Sequence, residues 1–188
     1  MDKPKYLVKP DMSKPRLVFV GKRLAFSSPS LLRDRLVALG EHWAQQGYLV
    51  VTGNSPGSEE LVARGVNRVN PACLEAYLPW DHYHPDKLVE GNRVMTVRRA
   101  TLQDRKTAQA CLSSWSIFSK AVRDSRVRFA QMMHGAAMVQ AVPSYNKPGW
   151  GVVGDAIRIA WHMGITVFDA LEDRRLDPDP KLIQVETH

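Results

Sequence analysis

Five short apolar runs, each interrupted by little polar character, constrain this chain more than any other feature. They are RLVFVG (Arg16–Gly21), YLVVTG (48–53), CLEAYLPW (73–80), AAMVQAV (Ala136–Val142) and ITVFDAL (165–171). A strand with one wet face alternates apolar and polar residues, whereas a strand covered on both faces reads as a continuous apolar run. Between the runs lie stretches of helical periodicity. In 31–47, Leu32, Leu36, Leu39 and Trp43 share one face, Ser28 and Pro29 supply a cap and a first-turn residue, and Gly47 closes the helix. A helix over Ser58–Val69 turns Leu61, Val62 and Val66 inward. Helices are also predicted over 96–112, over 116–135 with Ile117, Val122, Phe129 and Met133 buried, and over 152–164, ended by Gly164. Strands and helices in alternation predict an α/β fold: a Rossmann-like three-layer sandwich with a mainly parallel sheet and right-handed crossovers.

The 188 residues suit a single domain, taken as 15–172, with an N-terminal arm at 1–14 and an Asp- and Pro-rich tail at 173–188. Lys plus Arg number 26 against 19 Asp plus Glu, and a net charge of +7 favours anionic partners, although the same excess also serves solubility. Cys73 and Cys111 are too few for a disulfide framework or a zinc site. Cys73 reads as core, no His/Cys pair has metal-ligand spacing, and neither metal nor cofactor is expected. Residues 1–14 lack the apolar stretch of a signal peptide, and no apolar run approaches the ~20 residues of a membrane span. A cytoplasmic protein without membrane contact is expected. Met132, Met133 and Trp161 on the helices exceed what one core is expected to cover, which predicts a homo-oligomer.

In an open parallel sheet, ligands sit beyond the carboxyl ends of the strands, and three such loops carry suggestive residues. The first, GNSPGS, follows the second strand: Gly53 and Gly57 allow close backbone approach, Asn54 tolerates left-handed backbone, and Ser58 opens a helix. Amides at Ser58, Glu59 and Glu60 would face an anion there, aided by the helix dipole; an ordinary capped turn has the same composition. The second, KPGWGVVGD, places Gly149, Gly151 and Gly154 before or within the start of a helix, with Lys147 adding charge. In the third, LPWDHYH, Trp80, Tyr83 and His84 offer stacking surfaces, and His82 adds a second imidazole. Arg98 and Arg99, with Arg123, Arg126 and Arg128 on the long helix, line either the cleft or a nucleic-acid face, or form a solvated helix face.

Three segments, VVTGNSPGSEELVARGVN, then LEAYLPW, then GWGVVGDAIRIAWHMGITVFDAL, resemble the SLOG superfamily over roughly Arg16 to Leu171. That superfamily comprises Rossmann-like domains found in DNA-processing protein A, the LOG phosphoribohydrolases and small phage-encoded relatives. The resemblance implies a phosphate or nucleotide held by Gly53, Asn54, Gly57 and Ser58 on one side and Gly149, Gly151 and Gly154 on the other. Asn54 replaces the usual second glycine, and Glu59 or Glu60 the usual aspartate. The glutamate of the phosphoribohydrolase signature falls on Arg158, and a guanidinium is no carboxylate base. Glycosidic hydrolysis would therefore have to use Asp155 or Glu59. Three functions are compatible with this pattern. One is binding of a nucleotide or phosphorylated nucleoside, as sensor, sequestering or processing module. The second is N-glycosidic hydrolysis or transfer on nucleoside monophosphates. The third is single-stranded DNA binding through Trp80, Tyr83, Arg98 and Arg99.

Overall fold

The strand β1 (Arg16–Gly21) lies at the centre of a seven-stranded sheet. On one side of it stand β2 (Leu49–Thr52), β3 (Leu74–Leu78) and β4 (Arg93–Thr96); on the other stand β5 (Ala136–Val142), β6 (Val167–Asp169) and β7 (Arg174–Leu176). Six strands run parallel, and only β7 pairs antiparallel, on β6. The helices are α1 (Ser30–Gln45), α2 (Ser58–Val69), α3 (Leu102–Ala110), α4 (Lys120–Met133) and α5 (Gly151–His162). This computed structural model describes residues 13–24, 29–112, 114–144, 148–179 and 182. The expected Ser28 cap and the Lys147 charge lie outside the described residues.

The pleat of β1 divides the core. Leu17 and Phe19 pack with Leu36, Val37, Leu61, Val62 and Val66 of α1 and α2. Val18 and Val20 pack on the opposite face with Val127, Met133, Ile157 and Ala160 of α4 and α5. Two helical layers around one sheet are the three-layer architecture that the apolar runs predict. Cys73 is core, as expected.

The sheet is two strands wider than the five apolar runs indicate. β4 precedes the stretch expected as helix 96–112 and shares only Thr96 with it; that stretch instead holds a 3-10 turn, Val97–Arg99, and then α3. A reciprocal cap places that boundary: the Asp104 amide donates to Thr101 Oγ1 at 3.1 Å and the Thr101 amide to Asp104 Oδ2 at 2.7 Å. The helix expected over 116–135 begins only at Lys120, after a 3-10 turn at Trp115–Ile117. Ile117, expected inside, is 81% exposed, because it belongs to that turn and not to the buried face of α4. β7 lies within the stretch expected as tail, and Trp161 Nε1 donates to the Leu176 carbonyl at 3.1 Å. Met132, Met133 and Trp161 are all buried in the chain's own core, which removes the observation that suggested an oligomer. Among the described residues, no helix is long and apolar enough to cross a membrane.

A buried ion pair crosses the α4 face of the sheet. Arg16 Nη2 donates to Glu75 Oε1 at 2.8 Å and to the Tyr77 hydroxyl at 3.3 Å, and Arg16 Nε donates to the His134 carbonyl just past α4. Burial, with Glu75 beside it, pushes the Tyr77 hydroxyl up from its ordinary range, so it remains protonated.

Candidate functional site

The chain leaves β2 at Thr52 and enters α2 at Ser58, so GNSPG lies at the carboxyl edge of the sheet. Gly57 is the residue before the helix, with φ of 101°, and Ser58 is already helical. The Ser58 amide and hydroxyl both donate to the Lys22 carbonyl, at 3.2 and 2.8 Å, so that amide is neither free nor capped by its own side chain. A Cβ on Gly57 would lie 2.7 Å from the Leu24 amide nitrogen and 3.0 Å from the Lys22 carbonyl oxygen. The glycine admits the chain leaving β1; the close approach expected from a ligand is made by the protein's own backbone.

The loop's amides are occupied from within. Glu59 is 3% exposed, and its Oε2 accepts the Gly53 and Ser55 amides, each at 3.0 Å. Its Oε1 accepts the Gly21 amide at 3.5 Å, so one carboxylate ties the ends of β1 and β2. Burial pushes Glu59 above the usual carboxylate range, while Arg128 and the amide donors pull the other way. Arg128, 2% exposed, reaches in from α4: its Nη1 donates to the Gly53 carbonyl at 2.6 Å and its guanidinium stands over the Tyr83 ring. Burial lowers the Arg128 pKa against the pull of Glu59. Asn54, with φ of 56°, donates from Nδ2 to the carbonyls of Tyr83 and His84, both at 3.0 Å. The first and third loops therefore form one structure. Trp80 stands edge-on to Tyr83 with ring centroids 4.9 Å apart, and is 46% exposed. Arg98 pairs with Asp81 at the surface, 3.0 Å apart, and Arg99 is exposed.

The second glycine loop follows β5 and delivers α5 through Trp150 and Gly151. A Cβ on Gly154 would lie 2.2 Å from the Gly149 carbonyl carbon, so here too the glycines fold the loop upon itself. Asp155 is 6% exposed and held by two guanidinium groups: Arg126 Nε at 2.7 Å and Arg158 Nη2 at 2.5 Å. Arg158 Nη1 also donates to the Gly149 carbonyl. Burial raises the Asp155 pKa, against the attraction of Arg126 and Arg158.

In sheet order the two glycine loops leave strands on either side of β1, the place where the chain's winding direction reverses and where doubly wound folds open a crevice. Lys22 leads out of β1 at that point; its amide donates to the Val142 carbonyl at the end of β5. α4 reaches the first loop through Arg128 on Gly53 and α5 through Arg126 on Asp155, whose second partner, Arg158, holds the Gly149 carbonyl of the second loop. The sequence reading named both arginines without separating them from a solvated face, and it did not single out Lys22. The signal for Lys22 was its position, directly after an apolar run ended by glycine.

Searched against family models, the chain matches none, and no curated protein sequence matches it. Solved structures do. Over 82% of this chain and 72% of the other, it resembles the protein TM1055, with a TM-score of 0.54 at 21% identity. It resembles DNA processing protein A from Helicobacter pylori, described for its single-stranded DNA binding, with a TM-score of 0.55 at 11% identity over 86% of this chain and 72% of that one. It also resembles the Moco carrier protein of Chlamydomonas reinhardtii, with a TM-score of 0.51 at 15% identity over 90% and 80%. At such identities the likeness is one of fold. The chain has the Rossmann-like fold that these structures share.

Proposed function

We propose that this chain binds a nucleotide or phosphorylated nucleoside in the crevice at the carboxyl edge of its sheet, as a sensing, sequestering or processing module. One observation carries the reading: two glycine loops leave β2 and β5 on either side of β1, and α4 packs on the first through Arg128 and on the helix after the second through Arg126. Structural neighbours that carry Moco or bind single-stranded DNA support a ligand-binding role for this fold. Neither candidate catalytic carboxylate favours glycosidic hydrolysis. Glu59 is buried beneath three amides and Asp155 is buried between two arginines, so neither carboxylate faces the solvent side of the crevice.

Calorimetric titration with a panel of nucleotides and nucleoside monophosphates tests this. Micromolar binding of at least one, weakened by Lys22→Ala, supports it; silence across the panel rejects it. Substituting Gly57 is a poor probe, because a side chain there collides with backbone. A second reading, single-stranded DNA, rests on the exposed Trp80 ring held edge-on by Tyr83. It requires that Trp80→Ala weaken oligonucleotide binding while leaving mononucleotide binding intact.

A further inference from the structure

A loop of small residues entering a helix is normally read as a phosphate cradle, because its amides point inward and the helix dipole adds positive charge. In this chain the same amides already hold a negative charge, and it belongs to the protein. Glu59 fills the notch between the ends of β1 and β2 with a carboxylate accepting from Gly21, Gly53 and Ser55. Beside it, Arg128 provides the compensating cation, and Arg128 Nε is buried with no hydrogen-bond partner. A Cβ on Gly53 would fall 2.8 Å from Arg128 Cζ and 3.0 Å from Glu59 Oε2, so the pair is packed directly under the loop. Nothing of phosphate size enters without expelling the carboxylate. A dianion brought beside the carboxylate would meet a like charge at a desolvated contact, which disfavours its entry.

We propose that Glu59 is a built-in anion that sets the specificity of the crevice. Its carboxylate holds the seat a phosphate would take after β2, and the ligand's own negative charge is received at the end of β1, where Lys22 emerges between Val142 and Ser58. This rests on the ligand-binding reading above only for its second half. The first half concerns the folded chain alone. The loop after β2 is then a rigid wall that contacts neutral parts of a ligand, and Glu59 is a positioning residue: it orders Gly53 and Ser55 and keeps anions out.

Chemical rescue tests the proposal. Glu59→Ala leaves Arg128 and three amides facing a vacated carboxylate site; Glu59→Gln leaves the site filled and uncharged. The melting temperature of each variant and of the wild type is followed against formate, acetate and inorganic phosphate, with chloride at matched ionic strength as reference. The expected result is a saturable rise of several degrees for Glu59→Ala, with none for the wild type or Glu59→Gln. Should Glu59→Ala not fold in chloride, the same experiment reads refolding yield, with recovery in formate and not in chloride as the expected result. Inorganic phosphate should bind Glu59→Ala at least about tenfold more tightly than the wild type. An equal response of Glu59→Ala and Glu59→Gln, or phosphate bound as tightly by the wild type as by Glu59→Ala, overturns the proposal. The two readings fail separately: a wild type silent to every nucleotide removes the ligand assignment, while anion rescue of Glu59→Ala still shows what fills the loop.

Discussion

Arg16 and Glu75 are charges placed where charge is expensive. Both are essentially inaccessible, and Arg16 Nη1 and Glu75 Oε2 have no hydrogen-bond partner. Such a pair is weak evidence for stability, because its desolvation cost rivals its attraction, yet removing one member strands the other. Glu75→Gln should therefore cost about 3–5 kcal/mol in urea unfolding, whereas the double change Arg16→Met with Glu75→Leu should recover most of that loss. Equal and additive losses would show that the pair is not the unit. The half-exposed Glu60 behaves differently. Burial raises its pKa, but Lys87 Nζ, 2.5 Å away, outweighs burial and holds the carboxyl below its ordinary value of 4.5. A depressed carboxylate contributes stability above its unfolded pKa and loses it as pH falls through the folded value. The wild type should thus exceed Glu60→Gln by a few tenths of a kcal/mol at pH 7, a gap that closes below about pH 4 when the two are unfolded in parallel.

Among the elements, α3 depends on its first turn. Thr101 and Asp104 satisfy each other's amides, and Asp104 Oδ1 also meets His134 Nε2 at 2.5 Å, joining the start of α3 to the end of α4. Thr101→Ala should cost about 1 kcal/mol, and hydrogen exchange should show the loss concentrated in the first turn of α3. The pattern T-L-Q-D that marks this start was present in the sequence, inside a stretch read as one continuous helix. Strands buried on both faces were legible because apolar residues dominate them, with single polar interruptions such as Glu75 in β3 and Gln140 in β5. β4 and β7 were not: RVMT is four residues running into a basic turn, and RRL is three residues whose charge suits an edge strand. Only their pairing with β3 and β6 makes them strands. Both glycine loops of the candidate site were legible by their small residues and flanking periodicities. What fills them was not, because Arg128 reaches Gly53 across 75 positions of sequence.

For the whole molecule, a net charge of +7 invites a reading as a nucleic-acid surface, but charge counts only where it is unspent. At the carboxyl edge, Arg126 and Arg158 are committed to Asp155, Arg128 to Glu59 and Gly53, Lys87 to Glu60, and Arg98 to Asp81. Among the described residues of the crevice, Lys22 and Arg23, directly after β1, have no acidic partner and are placed to meet phosphate. The binding of a small nucleotide therefore releases few counterions. A mononucleotide carries no condensed counterion atmosphere, so its affinity should fall only shallowly with salt, by ordinary screening, whereas each neutralised phosphate of a single strand contributes about −0.7 to the logarithmic slope. A single-stranded DNA ligand tracking past Trp80 and the exposed Arg99 would release condensed counterions and give a distinctly steeper slope. Measuring both slopes on the same preparation separates the two readings. A steep slope for an oligonucleotide that Lys22→Ala leaves unchanged and Arg99→Ala lowers would place the charged surface outside the crevice. A shallow slope that Lys22→Ala flattens further would place the ligand's charge at the end of β1.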